Sequence, residues 1–382
     1  MNEWIGQWVV NCRDSLLSDV KRLRLHYALL LKSLLLLSIF GLVHSFGKNV
    51  FYHGIEARHL MSSSILLEAL TDPDLFYFFI PILAVVTTAV EVSSWESLGP
   101  PRLRYFVLSL VGILLWFSVF VPFNYTLASG FWLDRLVILV LGLLSILNPG
   151  FVPGFLCSVY VFLAQFNLDF LNPTPMKNTH LVVMGLSFFS AYLILSIFWS
   201  TEYEIFPVLW SVIFASNYFT GGIQKITDGS WILAWPLSQN LELFHTHFAF
   251  WGWLSFLPQG LHRQLNIVLS YIDQPLFLTV LLLEVATVLF LIHQRLPKVF
   301  CVAFIVFHSS IFFLSGLFLW MWILIDAATL LIVGSVPSEF FESTSAVALS
   351  ILFILLLPYL GFFQIRDVTW WNTRYRYRFE LV

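Results

Sequence analysis

The chain has 382 residues, of which 59% are hydrophobic, 18% aromatic and 11% charged, and its mean hydropathy is +0.86. Soluble domains are about half apolar and about a quarter charged, so this composition excludes a soluble globule, and the aromatic content excludes a disordered chain. The net charge of −3, without a long basic run, argues against a nucleic-acid partner. Three scattered cysteines give neither a disulfide framework nor a zinc-binding spacing, so no metal site is predicted.

Long apolar segments follow one another along almost the whole chain. A helix crosses a bilayer with about 20 apolar residues, and on this measure we predict an all-α fold, a polytopic transmembrane helical bundle of about ten spans. The predicted spans are Leu25–Phe46, Leu75–Val92, Tyr105–Phe123, Leu133–Leu147, Phe151–Asn167, Leu181–Ser200, Ile205–Ile223, Leu265–His293, Val299–Val333 and Val347–Phe363.

Two parts of this series depart from simple crossings. The fourth and fifth spans are short and are separated only by Asn148, Pro149 and Gly150, a turn signal that favours a tight hairpin or a re-entrant pair. The ninth span has about 35 residues, which exceeds a simple crossing, so we expect a kink near Ser315 and Gly316 or a tail outside the membrane.

Basic residues beside the span ends predict the orientation. They precede spans one and three, join spans eight and nine, and follow span ten, and with ten spans all four clusters lie on one side. Both termini are then cytoplasmic. We divide the chain into a cytoplasmic amphipathic N-terminus (1–24), a single transmembrane helical domain (25–363) and a basic cytoplasmic tail (364–382).

Ionisable residues within apolar spans are the candidate functional residues, because each costs a few kcal/mol in a bilayer. Lys225 follows a glycine pair at the end of span seven, Glu284 lies inside span eight, His308 lies inside span nine and His180 opens span six. Each also has a structural interpretation. Lys225 would extend to the lipid headgroups, Glu284 and His308 would bond helix carbonyls, and His180 would be an interface residue.

Two other polar groups are weaker candidates. The His245-Thr246-His247 spacing would need a strand to aim both rings one way, so a metal site there is not favoured. Asp326 lies beyond the expected break at Gly316, and we place it at the outer interface.

Four short motifs occur in order along the second half of the chain. They are Asn178-Thr179-His180 before Gly185-Leu186, then Tyr218-Phe219 through Gly222, Lys225 and Trp231, then Leu281-Leu282-Leu283-Glu284, and last Phe307-His308. The series, over about residues 176–333, resembles the transmembrane domain of vitamin K-dependent gamma-glutamyl carboxylase and its bacterial relatives, the HTTM proteins. In that family an Asn-His pair precedes Gly-Leu, and Tyr-Phe-x-x-Gly-x-x-Lys contains the catalytic lysine.

The resemblance implies an enzyme of a bacterial cytoplasmic membrane that uses a reduced, vitamin K-like quinone as cofactor. Lys225 would be the base that deprotonates the hydroquinone for reaction with oxygen, and His180 would hydrogen-bond a quinone oxygen. Glu284 and His308 would form an acid–imidazole pair that relays a proton or clamps the helices. The residues implied in substrate binding are Asn178, Tyr218, Gly222 and Trp231.

The chain also departs from the carboxylase pattern. Gln224 replaces a second lysine, Thr179 separates Asn178 from His180, and the tryptophan comes one residue later. The family's large lumenal domain has no counterpart here, so a protein partner is expected to supply one if a peptide is the substrate. The first functional hypothesis is a quinol-dependent oxygenase or carboxylase, and the alternative is a non-catalytic membrane subunit or a transporter-like assembly partner.

Overall fold

The computed structural model describes residues 30–45, 47, 64–71, 73–120, 131–163, 174–199, 203–227, 233–238, 240–250, 252–315 and 319–360. Every regular element in these ranges is helical, and no strand occurs within them. The predicted all-α class is therefore confirmed for the described part of the chain. The predicted N-terminal segment 1–24 and the tail 364–382 lie outside it.

Helices of very different length follow one another along the chain. Short 3-10 or π turns extend several of them, at Trp116–Phe120, Pro149–Phe151, Ala286–Leu289 and Leu357–Leu360. The α-helices are α1 (Leu30–Ser45), α2 (Ile65–Thr71), α3 (Pro73–Val92), α4 (Trp95–Leu98), α5 (Pro101–Leu115), α6 (Trp132–Leu147), α7 (Val152–Leu163), α8 (Thr174–Phe198), α9 (Ile205–Thr227), α10 (Ala234–Ser238), α11 (Leu241–Phe250), α12 (Gln259–Val285), α13 (Leu296–Ser315), α14 (Trp320–Val333), α15 (Ser338–Glu342) and α16 (Thr344–Leu356).

Several helices have the dimensions that a bilayer requires. Within the described ranges, four helical segments are long and apolar enough to cross a membrane, namely Pro101–Phe120, Thr179–Phe198, Gln259–Leu289 and Leu296–Leu314. Much of α12 is exposed and apolar, as Ile267, Val268 and Tyr271 illustrate. Such a surface is costly in water and suits lipid, so the chain is a membrane protein. These four helices do not establish the predicted number of ten spans.

Helix α9 lies at the centre of the bundle. Nearly all of its residues are buried, and it packs against α8, α12, α14 and α16. A helix that is apolar on all sides is typically buried among other helices. Most of α9 is apolar on all sides, which agrees with its central position. Trp210 and Phe214 fill the space toward its neighbours with fully buried rings. The polar residues at the end of α9 are thereby held inside protein.

The predicted ninth span is two helices. α13 ends at Ser315, α14 begins at Trp320, and the two pack closely along their length. The expected break near Ser315 and Gly316 therefore separates two packed helices. The ten-span count, and with it the placement of both termini on one side, assumed a single crossing here.

A tight hairpin joins α6 to α7, as the turn residues predict. The Asn148 side chain accepts a hydrogen bond from the Gly150 N–H at 2.7 Å and donates one to the Val90 carbonyl at 3.0 Å. The turn is therefore fastened to α3. A Cβ atom on Gly150 would overlap the backbone of Ala89 and Val90, so the close approach of α3 depends on glycine there.

We expect Gly150→Ala to destabilise the protein by about 1–3 kcal/mol, because backbone atoms cannot move aside as a flexible side chain can. Gly112→Ala is the matched control. A Cβ on Gly112, in α5, meets nothing within 4 Å, and alanine favours the helix. Unfolding by denaturing detergent measures both variants, and equal stability of the two would contradict the assignment.

Two adjacent charged residues anchor the first half of the bundle at the start of α6. Asp134 is fully buried and accepts a hydrogen bond from the Leu66 N–H at 2.7 Å, near the start of α2. Arg135 donates to the carbonyls of Ser118 and Val119 at 2.7 and 2.9 Å, at the end of the π turn after α5. Both side chains thus pair with backbone groups at helix ends, where N–H and carbonyl groups have no partner within their own helix.

Candidate functional site

Lys225, in the last turn of α9, is buried in an ion pair. The Lys225 side chain is 5% exposed, and its Nζ donates to both carboxylate oxygens of Glu284 on α12, whose side chain is 8% exposed. The structural interpretation, in which Lys225 extends to the lipid headgroups, is therefore wrong. The structure thus brings together two candidate residues that lie in separate predicted spans.

The close approach of α9 and α12 brings this pair together. A Cβ on Gly222 would lie 3.0 Å from the backbone nitrogen of Val285 and 3.1 Å from the Glu284 Cβ. The Thr287 hydroxyl lies 3.0 Å from the Ala215 carbonyl oxygen and 2.6 Å from that of Glu284, which fastens the end of α12 to α9. Gly222 thus has the packing role that a small residue serves between membrane helices.

A partly open cavity of about 120 Å³ lies beside the Lys225 amine. Trp235 covers the amine on one side, with its ring centre 5.1 Å from Nζ, a cation–π distance. The polar members of the wall are Lys225, Trp235, Asn240 and Ser310, and the apolar members are Leu241, Leu276, Phe277, Val280, Phe307, Ile311 and Leu314.

His308 belongs to a second buried network. Its Nδ1 donates to Asp326 Oδ2 at 2.8 Å, and the Tyr218 hydroxyl donates to Asp326 Oδ1 at 2.7 Å. Tyr218 also stacks on Phe304 with ring centres 3.6 Å apart. The expected pairing of Glu284 with His308 is wrong, because each side chain has another partner. Asp326 is fully buried inside the protein. Its expected level at the outer interface stays a prediction.

His180 lies in a third cluster, between α1, α7 and α8. Its ring contacts the His44 ring edge-on at 5.7 Å, and His44 Nδ1 lies 3.2 Å from the Tyr160 hydroxyl. The same hydroxyl is 3.1 Å from the Ser187 hydroxyl. Tyr160 also lines an apolar cavity of about 240 Å³. His180 is not among the described residues that line the Lys225 cavity, so its action there on a quinone oxygen stays a prediction.

Two of the predicted binding residues fall outside what the structure describes. Trp231 is outside the described ranges, and for Asn178 only the helical backbone, in α8, is described. Asp228, whose carboxylate follows Lys225 by three residues in the sequence, also lies outside them. The two other residues in that group have packing or hydrogen-bonding roles, with Tyr218 in the Asp326 network and Gly222 at the α12 contact. Neither is among the described residues that line the Lys225 cavity, so their role in binding stays a prediction.

Two buried residues, Trp235 and Asn217, were not recognised from the sequence, and Asp326 was given only as a weaker candidate. Asp326 carried the same signal as Glu284, an acid within a long apolar helix. Trp235 was one of many tryptophans, and nothing distinguished it. Asn217 is 1% exposed, and neither of its amide atoms has a hydrogen-bond partner among the described residues, although the polar side chain in an apolar helix was visible.

The chain was also compared with known proteins. No family model, curated protein or solved structure matches it.

Proposed function

We propose that the chain is an integral-membrane enzyme, resembling the membrane domain of the vitamin K-dependent carboxylase, in which Lys225 and Glu284 remove a proton from a lipid-soluble hydroquinone. The observation that supports this best is a buried amine, paired with a carboxylate, in the wall of an apolar cavity. We place the Lys225 end of the bundle at the outer face of a bacterial cytoplasmic membrane, as the basic residues and the resemblance favour.

The cavity fits one aromatic ring. An apolar cavity of about 150 Å³ accepts benzene in another protein, and the cavity here is only slightly smaller. Phe277 and Phe307 supply ring contacts, and Asn240 supplies an amide for an oxygen atom. A two-ring quinol would require the walls to move apart. A bound hydroquinone supplies an acidic O–H group, and the residues of this chain supply the rest.

The ion pair gives the proton a route. In the proposed step the Lys225 ammonium first passes a proton to Glu284 through their hydrogen bond, which leaves a neutral amine and a neutral acid. The amine then accepts the hydroquinone proton. The products are an ammonium beside the quinol anion and a protonated Glu284, so all protons are accounted for.

The Asp326 network has a positioning role in this proposal. Tyr218 precedes Lys225 by about two turns of α9, so both side chains lie on one face of the helix. Hydrogen bonding and stacking fix that face against α13 and α14. Because the α9 backbone carries both residues, this fixation also sets the position of the lysine.

Lys225→Arg tests the proposal. Arginine keeps the charge and pairs well with a carboxylate, but it does not give up its proton in proteins. We expect oxidation of a reduced benzoquinol by oxygen in membranes, followed by absorbance, to fall about a hundredfold to ten-thousandfold, as for loss of a general base. Stability should be nearly unchanged.

Lys298→Arg, at an exposed lysine in the first turn of α13, is the control and should keep the wild-type rate. Wild-type turnover in the Lys225→Arg protein would rule out the lysine as base. A wild-type protein that oxidises neither a benzoquinol nor a naphthoquinol would rule out the function.

A non-catalytic membrane subunit is the second candidate, and one observation favours it. The Lys225 ammonium already has a carboxylate and an aromatic ring as partners, as a structural clamp requires. In that case Lys225→Arg would preserve every property, whereas removing the charge would release associated proteins during purification.

A further inference from the structure

Two histidines from different helices, α11 and α12, meet close to the Lys225 cavity. His245, on α11, is fully buried, and His262 lies in the first turn of α12. The Nε2 atom of His245 is 3.4 Å from the Nδ1 atom of His262, and the rings are stacked with centres 5.6 Å apart. The two rings thus face each other through one nitrogen each.

The other nitrogen of each ring bonds a backbone carbonyl. His245 Nδ1 lies 2.9 Å from the Leu314 oxygen, and His262 Nε2 lies 3.0 Å from the Leu254 oxygen. A carbonyl oxygen only accepts, so both of these nitrogens carry hydrogen. A neutral imidazole has one N–H group, so in two neutral rings the facing nitrogens would both present lone pairs. A hydrogen bond between them requires one additional proton.

The surroundings favour a positive charge on this pair. Leu314 is in the last turn of α13, where carbonyls have no partner within the helix and the helix dipole attracts cations. Leu254 has a φ of 56°, which is uncommon for a non-glycine residue, so its carbonyl is aimed at His262 by an unusual backbone conformation. On the helices that pack together here, the other ionisable side chains closest in sequence to the contacting segments are Glu242 and His247 on α11, Arg263 and Asp273 on α12, and His308 on α13.

We propose that His245 and His262 form a binding site for one proton, which they share, and that this proton fastens α11 over the Lys225 cavity. Leu241, one turn before His245, lines the cavity, and so does Leu314, whose carbonyl His245 bonds. A metal ion is a poorer occupant, because the described residues contain no group of three or more His, Cys, Asp or Glu side chains around one point. The proposal does not depend on a quinol being the substrate.

Hydrogen exchange of the α11 amides in the full chain, in lipid nanodiscs with excess EDTA, tests this site. We expect the protection of α11, corrected for the intrinsic rate, to fall about tenfold as the pH rises from about 5 to 8, since one partly buried hydrogen bond is lost. His262→Asn places an amide N–H where Nδ1 was, and it donates to His245 without an added proton. In this variant the protection of the α11 amides should be independent of pH.

His247→Ala, at an exposed histidine two residues from His245, is the matched control and should follow the wild type. Protection of α11 in the wild type that does not change with pH would overturn the proposal. Protection at low pH that is present without EDTA and lost with it would also overturn the proposal. ¹⁵N spectra of histidine-labelled wild-type protein give a test without substitution. At low pH one of these rings should carry hydrogen on both nitrogens, and two singly protonated rings throughout would also overturn it.

Discussion

Replacing Glu284 with methionine should destabilise the protein by about 3–5 kcal/mol, because it leaves the Lys225 ammonium buried without its carboxylate. Lys225→Met should cost a similar amount, since an isolated carboxylate is then left in the same place. The double variant should recover most of the loss, because two apolar side chains of suitable size replace a pair whose desolvation cost nearly cancels its attraction.

Equilibrium unfolding in mixed detergent measures all three variants as a double-mutant cycle. Lys298→Met and Glu339→Met, at exposed positions on α13 and α15, are controls and should each change stability by no more than about 0.5 kcal/mol. Additive losses in the cycle would show that the pair does not interact. The double variant also separates the two candidate functions. Two apolar side chains can replace a structural clamp between the helices, whereas they cannot replace a base that accepts a proton.

Asp326→Ala should cost roughly 2–6 kcal/mol, because it leaves the Tyr218 hydroxyl and the His308 ring without their shared acceptor. Each buried polar group without a partner costs about 1–3 kcal/mol. Asp326→Asn should cost only about 1 kcal/mol. Its amide accepts from Tyr218 and donates to His308, provided that His308 adopts the other tautomer.

The same unfolding measurement applies, with Glu339→Ala as the exposed acidic control. The difference between alanine and asparagine is the informative quantity, because both substitutions remove the charge. If both lower the stability equally, the charge of Asp326 matters rather than its two hydrogen bonds.

Much of the helical framework was predictable, because local chemistry sets it. Apolar runs of membrane length predicted the helices. The Asn148–Gly150 turn predicted the α6–α7 hairpin, because the Asn148 side chain and the small Gly150 act within a few positions of each other. The break near Ser315 was also visible. That it separates two packed helices was not, because the choice between a kink and a hairpin depends on contacts between α13 and α14.

The sequence by itself determined which polar residues are exceptional, since the cost of placing Lys225, Glu284 or His308 in an apolar helix depends only on the residue and its neighbours in the chain. Only the tertiary structure decided their partners. Lys225 and Glu284 are 59 positions apart and meet because α9 and α12 touch at Gly222, while His308 faces Asp326 across the α13–α14 hairpin. Packing of whole helices sets such distances, and it also carries His180 to His44, into a cluster separate from the lysine.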